Sequence, residues 1–207
     1  MKKTFYFIRH GQTDLNLKGI VQGRGVNTPL NENGRKQAED FFQAYKDVPF
    51  DKIYTSTLLR THQTVEPFVN LGIPREDLEG LDEISWGIYE GKPQDESIMS
   101  GFETVVTCWR NNDLDYCIEG GESPNTLVAR QKEAVAYMLQ QKNEKTILVC
   151  MHGRALRILL CHLTKTPVCR MDDFPHTNTC LYILEYEDGK FSIVDYYNTA
   201  HLADLHD

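Results

Sequence analysis

With 207 residues, 41% of them hydrophobic and 25% charged, the chain can bury the core of one sizeable domain and is too apolar for disorder. Its formal net charge of −8 excludes the basic footprint of a nucleic-acid-binding protein, so an anionic substrate would need a local cationic pocket. The six cysteines (Cys108, Cys117, Cys150, Cys161, Cys169 and Cys180) show no CxxC pair and no metal-ligand spacing; buried thiols are expected, without a metal or cofactor.

Lys2 and Lys3 precede TFYFI, a run far too short for a signal peptide or membrane span, so a cytoplasmic protein without membrane contact is expected. TFYFI reads as a first strand and stops abruptly at Arg9, His10 and Gly11. Residues 31–46 read as a helix with Phe41, Phe42 and Tyr45 on one face. DKIYTS gives a second strand, and residues 57–70 a helix for which Ser56 is the expected N-cap. Residues 123–142 begin Ser123-Pro124, a cap followed by proline at the first helical position. KTILVCM is a third strand ending at His152-Gly153, and residues 154–163 form a short apolar helix. TCLYILEY and KFSIVDYY flank Asp188-Gly189, a hairpin signal. The expected fold class is therefore α/β, a three-layer sandwich with a mostly parallel sheet and helices on both faces.

In such sheets ligands bind beyond the carboxyl ends of the strands. Arg9-His10-Gly11, Ser56 and His152-Gly153 end three different strands, so unrelated segments bring polar groups to one rim. Taken alone, His10 is a strand-end histidine and Arg60 a solvated helix arginine. Taken together they suit phosphoryl transfer, which needs cationic groups on the equatorial oxygens and an aligned nucleophile. A neutral imidazole at His10 can attack phosphorus. Arg9, Arg60 and a protonated or hydrogen-bonding His152 can hold the oxygens, and Asn16 and Gln22 add neutral donors. The leaving alkoxide needs a proton. GLDEISWGIYEGK offers Asp82, Glu83 and Glu90 in a loop that Trp86 and Tyr89 would order.

RHG after an N-terminal strand, Ser56-x-Leu58-x-Arg60, Glu83-x-x-x-Gly87-x-x-Glu90-Gly91 and His152-Gly153 together resemble the histidine phosphatase superfamily, in its phosphoglycerate-mutase-like branch. TPLNENGRKQA is similar to a further segment of that family, with Asn31 where threonine is frequent. Met151 departs from the small residue often found before the second His-Gly. The resemblance implies a phosphoglycerate-mutase-like fold over a single domain, residues 1–207, with 92–122 a lid or insertion near the pocket. It implies that His10 is phosphorylated, that Arg9, Arg60 and His152 bind the phosphoryl group, and that Glu83 donates and accepts the proton. Asn16, Gln22, Gly23 and Gly153 would line the substrate pocket, and no metal is implied.

Mutases of the branch resemble Glu-Arg-His-Tyr-Gly at the acid loop and carry an Arg-Arg pair in the insertion. Here the loop reads Glu83-Ile84-Ser85-Trp86-Gly87, and segment 92–122 has only Arg110 beside acidic Asp113, Asp115 and Glu119. The expected activity is a metal-independent phosphomonoesterase acting on a small phosphorylated metabolite. The alternatives are a cofactor-dependent phosphoglycerate mutase and a catalytically idle phosphate-binding module. Ile98, Met99, Phe102, Val105, Val106 and Trp109 lie near helical spacing, either as a lid face or as plain core packing. The hairpin strands supply an edge on which a homodimer could pair.

Overall fold

The computed structural model describes residues 2–205 and contains one six-stranded sheet. The strands are β1 (Lys3–Arg9), β2 (Lys52–Thr55), β3 (Arg75–Asp77), β4 (Thr146–Met151), β5 (Leu181–Glu187) and β6 (Lys190–Asn198). They lie in the order β3-β2-β4-β1-β5-β6. β1 and β2 both pair parallel to β4, and β3 runs parallel to β2, whereas β5 pairs antiparallel with β1 and β6 antiparallel with β5. The helices are α1 (Asp14–Leu17), α2 (Glu32–Tyr45), α3 (Leu59–Asn70), α4 (Glu96–Arg110), α5 (Pro124–Gln140) and α6 (Gly153–Thr164).

Side chains alternate between the two faces of a strand, and β1 shows what each face covers. Phe5 and Phe7 join Ile147, Val149 and Met151 in a core closed by α4, α5 and α6. Ile8 points the other way, into a smaller core with Phe41 of α2 and Val65 and Phe68 of α3. Full burial of each such side chain contributes about 1.5–3 kcal/mol, so β1 is fixed in register from both faces. Arg9 is thereby held at a defined height at the strand end, paired with Met151 of β4. The fold class is the expected one, with helices on both faces.

The hairpin forms at Asp188 and Gly189, which take φ of 50° and 80°, as a tight two-residue turn requires. Ser123 caps α5 by accepting from the Thr126 amide, with Pro124 in the first turn. Ser56 does not cap α3. Leu58 occupies that position without a side-chain hydrogen bond, and the Ser56 hydroxyl instead accepts from the Leu58 amide, ahead of the helix, and from His152 Nε2. α1 and β3, of four and three residues, are too short to leave a periodic signal. Met151 lies wholly in the core and does not shape the cleft described below.

All six cysteines are free, with Cys150, Cys161 and Cys180 buried as expected. His201 packs edge-on against Phe41, with ring centroids 5.2 Å apart, and His206 lies outside the described residues. Among the described residues no helix is long and apolar enough to cross a membrane.

Candidate active site

The ends of β1, β2 and β4 open into a cleft of about 770 Å³. Arg9, His10, Asn16, Gln22, Arg60, Glu83 and Gly153 line it; Gly23 and His152 do not.

His10 follows β1 directly and is 3% exposed. Its Nδ1 lies 2.7 Å from the Gly11 carbonyl oxygen. A carbonyl only accepts, so Nδ1 carries the hydrogen and a neutral ring leaves its lone pair on Nε2. Burial, then the charges of Arg60 and Arg9, push the His10 pKa well below its ordinary value, so the ring is neutral at neutral pH. Gly11 is needed for packing: a Cβ there would sit 2.5 Å from the Gly34 carbonyl oxygen at the start of α2.

Two guanidinia flank this ring. Arg9 donates from Nη1 to the His176 carbonyl at 2.5 Å, while its buried Nε has no protein partner. A buried cationic donor without an acceptor is costly, and an anion in the cleft would satisfy it. Arg60, the second residue of α3, is completely buried. It donates from Nη1 to Val26 O, from Nη2 to Gly23 O, and from Nε to His152 Nδ1 at 3.2 Å. Burial lowers its pKa to about 10, which leaves it charged.

Arginine Nε always carries its hydrogen, so His152 Nδ1 is an acceptor and Nε2–H donates to Ser56 Oγ at 2.7 Å. His152 is therefore the neutral, hydrogen-bonding form. It stands behind Arg60, with its ring centroid 5.1 Å from that of His10, and both ring nitrogens are occupied. Gly23 likewise contributes its carbonyl to Arg60, and a Cβ there would lie 2.0 Å from a Glu90 carboxylate oxygen. Asn16 and Gln22 reach the cleft braced by Thr13, whose amide donates to Asn16 Oδ1 and whose hydroxyl accepts from Gln22 Nε2.

The three carboxylates of the acid loop separate by their partners. Asp82 is held by the amide and hydroxyl of Thr57. Glu90 accepts from the amides of Trp86 and Gly25, joining two loops. Only Glu83 faces the cleft. Its Oε1 accepts from the Ile84 and Ala155 amides at 2.9 and 2.8 Å, and Oε2 from the Arg154 amide at 3.1 Å. The carboxyl thus sits at the N-terminus of α6, and Oε2 keeps a lone pair for a proton. Arg130 secures the loop from behind, donating to the carbonyls of Glu79, Gly80, Asp82 and Glu83 and pairing with Glu122.

Arg154 and His176 line the cleft without having been singled out in the sequence. The only local sign of Arg154 is a cation directly after His152-Gly153 at the head of an apolar helix. α4 forms one wall through Met99, Phe102 and Val106, while Ile98, Val105 and Trp109 pack into the core. Asp113, Asp115 and Glu119 are not in the lining; Glu96 and Glu103 are, at exposed positions.

These buried histidines have a consequence for stability. His10, His152 and His176 all titrate below the ordinary histidine range, chiefly through burial, with His176 pushed down to about 3. Between about pH 6.5 and the folded-state values the unfolded chain binds more protons, so stability falls as pH falls. Urea unfolding at pH 7, 6 and 5 should show a progressive loss over a range where most carboxylates remain ionised. A flat or rising unfolding free energy would contradict neutral burial of these rings.

The family model described as "Histidine phosphatase superfamily (branch 1)" matches residues 5–199. The Bacillus subtilis protein named "Uncharacterized phosphatase PhoE" is 30% identical over 198 residues, 95% of each chain. A 2,3-bisphosphoglycerate-dependent phosphoglycerate mutase of Bradyrhizobium diazoefficiens is 31% identical over 175 residues, 79% of this chain and 82% of its own. The solved structure of Bacillus stearothermophilus YhfR superposes with a TM-score of 0.84 at 28% identity, covering 97% of this chain and 99% of that one.

Proposed function

This chain belongs to the histidine phosphatase superfamily and stands among its phosphatases, and we propose that it hydrolyses a small phosphorylated metabolite through a phosphohistidine on His10, without a metal ion. The observation that carries this reading is a neutral His10 with a bare Nε2 beside two buried guanidinia, one of them with an unpartnered Nε. In the first half-reaction the Nε2 lone pair attacks phosphorus as the bond to the ester oxygen breaks. Glu83, protonated at Oε2, supplies the leaving oxygen with its proton. In the second, the Glu83 carboxylate takes a proton from water as that water attacks phosphorus, the P–N bond breaks, and phosphate departs. Arg9 and Arg60 carry the charge of the phosphoryl oxygens in both transition states. Asn16 and Gln22 bind the oxygens as neutral donors, and Gly153 lies against the Arg9 guanidinium, where a Cβ would sit 3.4 Å from Nε. His152 acts by fixing Arg60. Segment 92–122, through α4, covers the alcohol portion of the substrate.

Turnover of p-nitrophenyl phosphate and of 3-phosphoglycerate, each with and without EDTA, tests the reading. Hydrolysis that persists in chelator is the expected result. Bisphosphoglycerate-dependent interconversion of phosphoglycerates that outruns hydrolysis would overturn it in favour of a mutase. Absence of any turnover would favour a binding module.

A further inference from the structure

Arg154 is the cation that the phosphoryl chemistry does not use. Its guanidinium lies over two indoles, 5.6 Å from the Trp109 centroid and 5.8 Å from that of Trp86, with 17% of the side chain exposed. Such stacking engages the face of a guanidinium and uses none of its N–H donors. Nη1 donates to the Met171 sulfur at 3.3 Å and stands 3.6 Å from Asp172 Oδ1. Among the described residues, Nε and Nη2 donate to no protein group.

Asp172 cannot be the partner that Arg154 needs. Its Oδ2 accepts from Nε and Nη2 of Arg110 at 2.9 and 2.5 Å, and its Oδ1 accepts from Arg157. Three guanidinia therefore share one carboxylate, leaving excess positive charge in a partly desolvated position on a chain whose net charge is −8. Arg154 Nε and Nη2 are not among the buried unpartnered donors, so solvent reaches them, and an anion entering there would replace that water with charge-assisted hydrogen bonds. Burial lowers the Arg154 pKa only to about 10, so the charge is present at neutral pH.

Its position names the part of the substrate concerned. The Arg154 amide binds Glu83 Oε2, so its side chain starts beside the group proposed to protonate the leaving oxygen. Arg154 and Arg110 line the same cleft as His10, as do Phe102 and Trp86, whose ring centroids are 4.7 Å apart. Glu96 and Glu103 also line this side, but both are solvent-exposed on α4, where water screens them. We propose that Arg154, supported by Arg110, forms a second anion subsite, and that the substrate is a compact phosphoester whose alcohol carries a carboxylate or a second phosphate. This rests on the phosphatase reading and narrows it to a substrate class.

Three alkyl esters with similar leaving groups test it: propyl phosphate, 3-(phosphonooxy)propanoate and propane-1,3-diyl bisphosphate. The wild-type protein should favour at least one of the two anionic-tailed esters over propyl phosphate by tenfold or more in kcat/KM, and the better one identifies the tail. In Arg154→Met that ratio should collapse to within twofold, with Arg154→Lys intermediate. Arg110→Met, at a side chain 59% exposed, should reduce the ratio by a smaller factor and covers the case in which Arg154→Met fails to fold. No wild-type preference, or a preference unchanged in Arg154→Met, would overturn the subsite while leaving phosphatase activity standing. If no ester is turned over, the phosphatase reading fails on its own, and the same ratio read from dissociation constants by calorimetry still decides the subsite.

Discussion

Alanine at His10 is expected to remove chelator-resistant hydrolysis of p-nitrophenyl phosphate almost entirely, by on the order of 10⁴-fold or more in kcat. The size follows from the absence of a substitute nucleophile at that point of the cleft. His152, whose ring is nearest, has both nitrogens committed to Arg60 and Ser56. An acid-labile phosphoramidate formed from labelled substrate by the wild-type protein, and missing from His10→Ala, would identify the acceptor. The variant should still fold, because the ring makes one hydrogen bond, to the adjacent Gly11 carbonyl, and β1 is fixed by Phe5, Phe7 and Ile8. Substantial residual turnover, or label on another residue, would remove His10 from the nucleophilic role. Loss of activity together with loss of the thermal transition would be a structural result, which is why the melt is recorded alongside.

The sequence made the two His-Gly strand ends legible because a buried parallel strand must stop where its backbone meets solvent, and polar residues mark that point. β1 and β4 are neighbours, so His10 and His152 had to emerge side by side. Side-chain partners across the chain left no such mark. Ser56 reads as a helix cap from local pattern, but its hydroxyl accepts from a histidine 96 residues away. Asp82, Glu83 and Glu90 are equivalent as text, and they are distinguished only by what meets them: Thr57, the head of α6, and the amides of Trp86 and Gly25. Arg154 was hidden for the same reason, since its environment is made by Trp86, Trp109 and Asp172 from three separate segments.

The resemblance singled out Glu83 from that acidic loop, and its geometry yields the other large effect. In Glu83→Gln, the amide oxygen can still accept from Ile84 and Ala155, but the amide nitrogen then faces the Arg154 N–H, and that hydrogen bond is lost. The side chain remains in place and loses its transferable proton. An alkyl phosphate expels a strongly basic alkoxide and needs that proton as the bond breaks, so kcat/KM should fall by about 10²–10⁴-fold. p-Nitrophenolate departs without protonation, and for that ester kcat/KM should fall by far less. The contrast must be read in kcat/KM, which covers the steps up to departure of the alcohol. kcat also includes attack by water on the phosphohistidine, where Glu83 serves as base whatever the alcohol was. A common dephosphorylation step would therefore equalise the losses in kcat and leave those in kcat/KM distinct. Equal losses in kcat/KM for alkyl and aryl esters would take Glu83 out of the acid role and leave it as a structural anchor between the acid loop and α6.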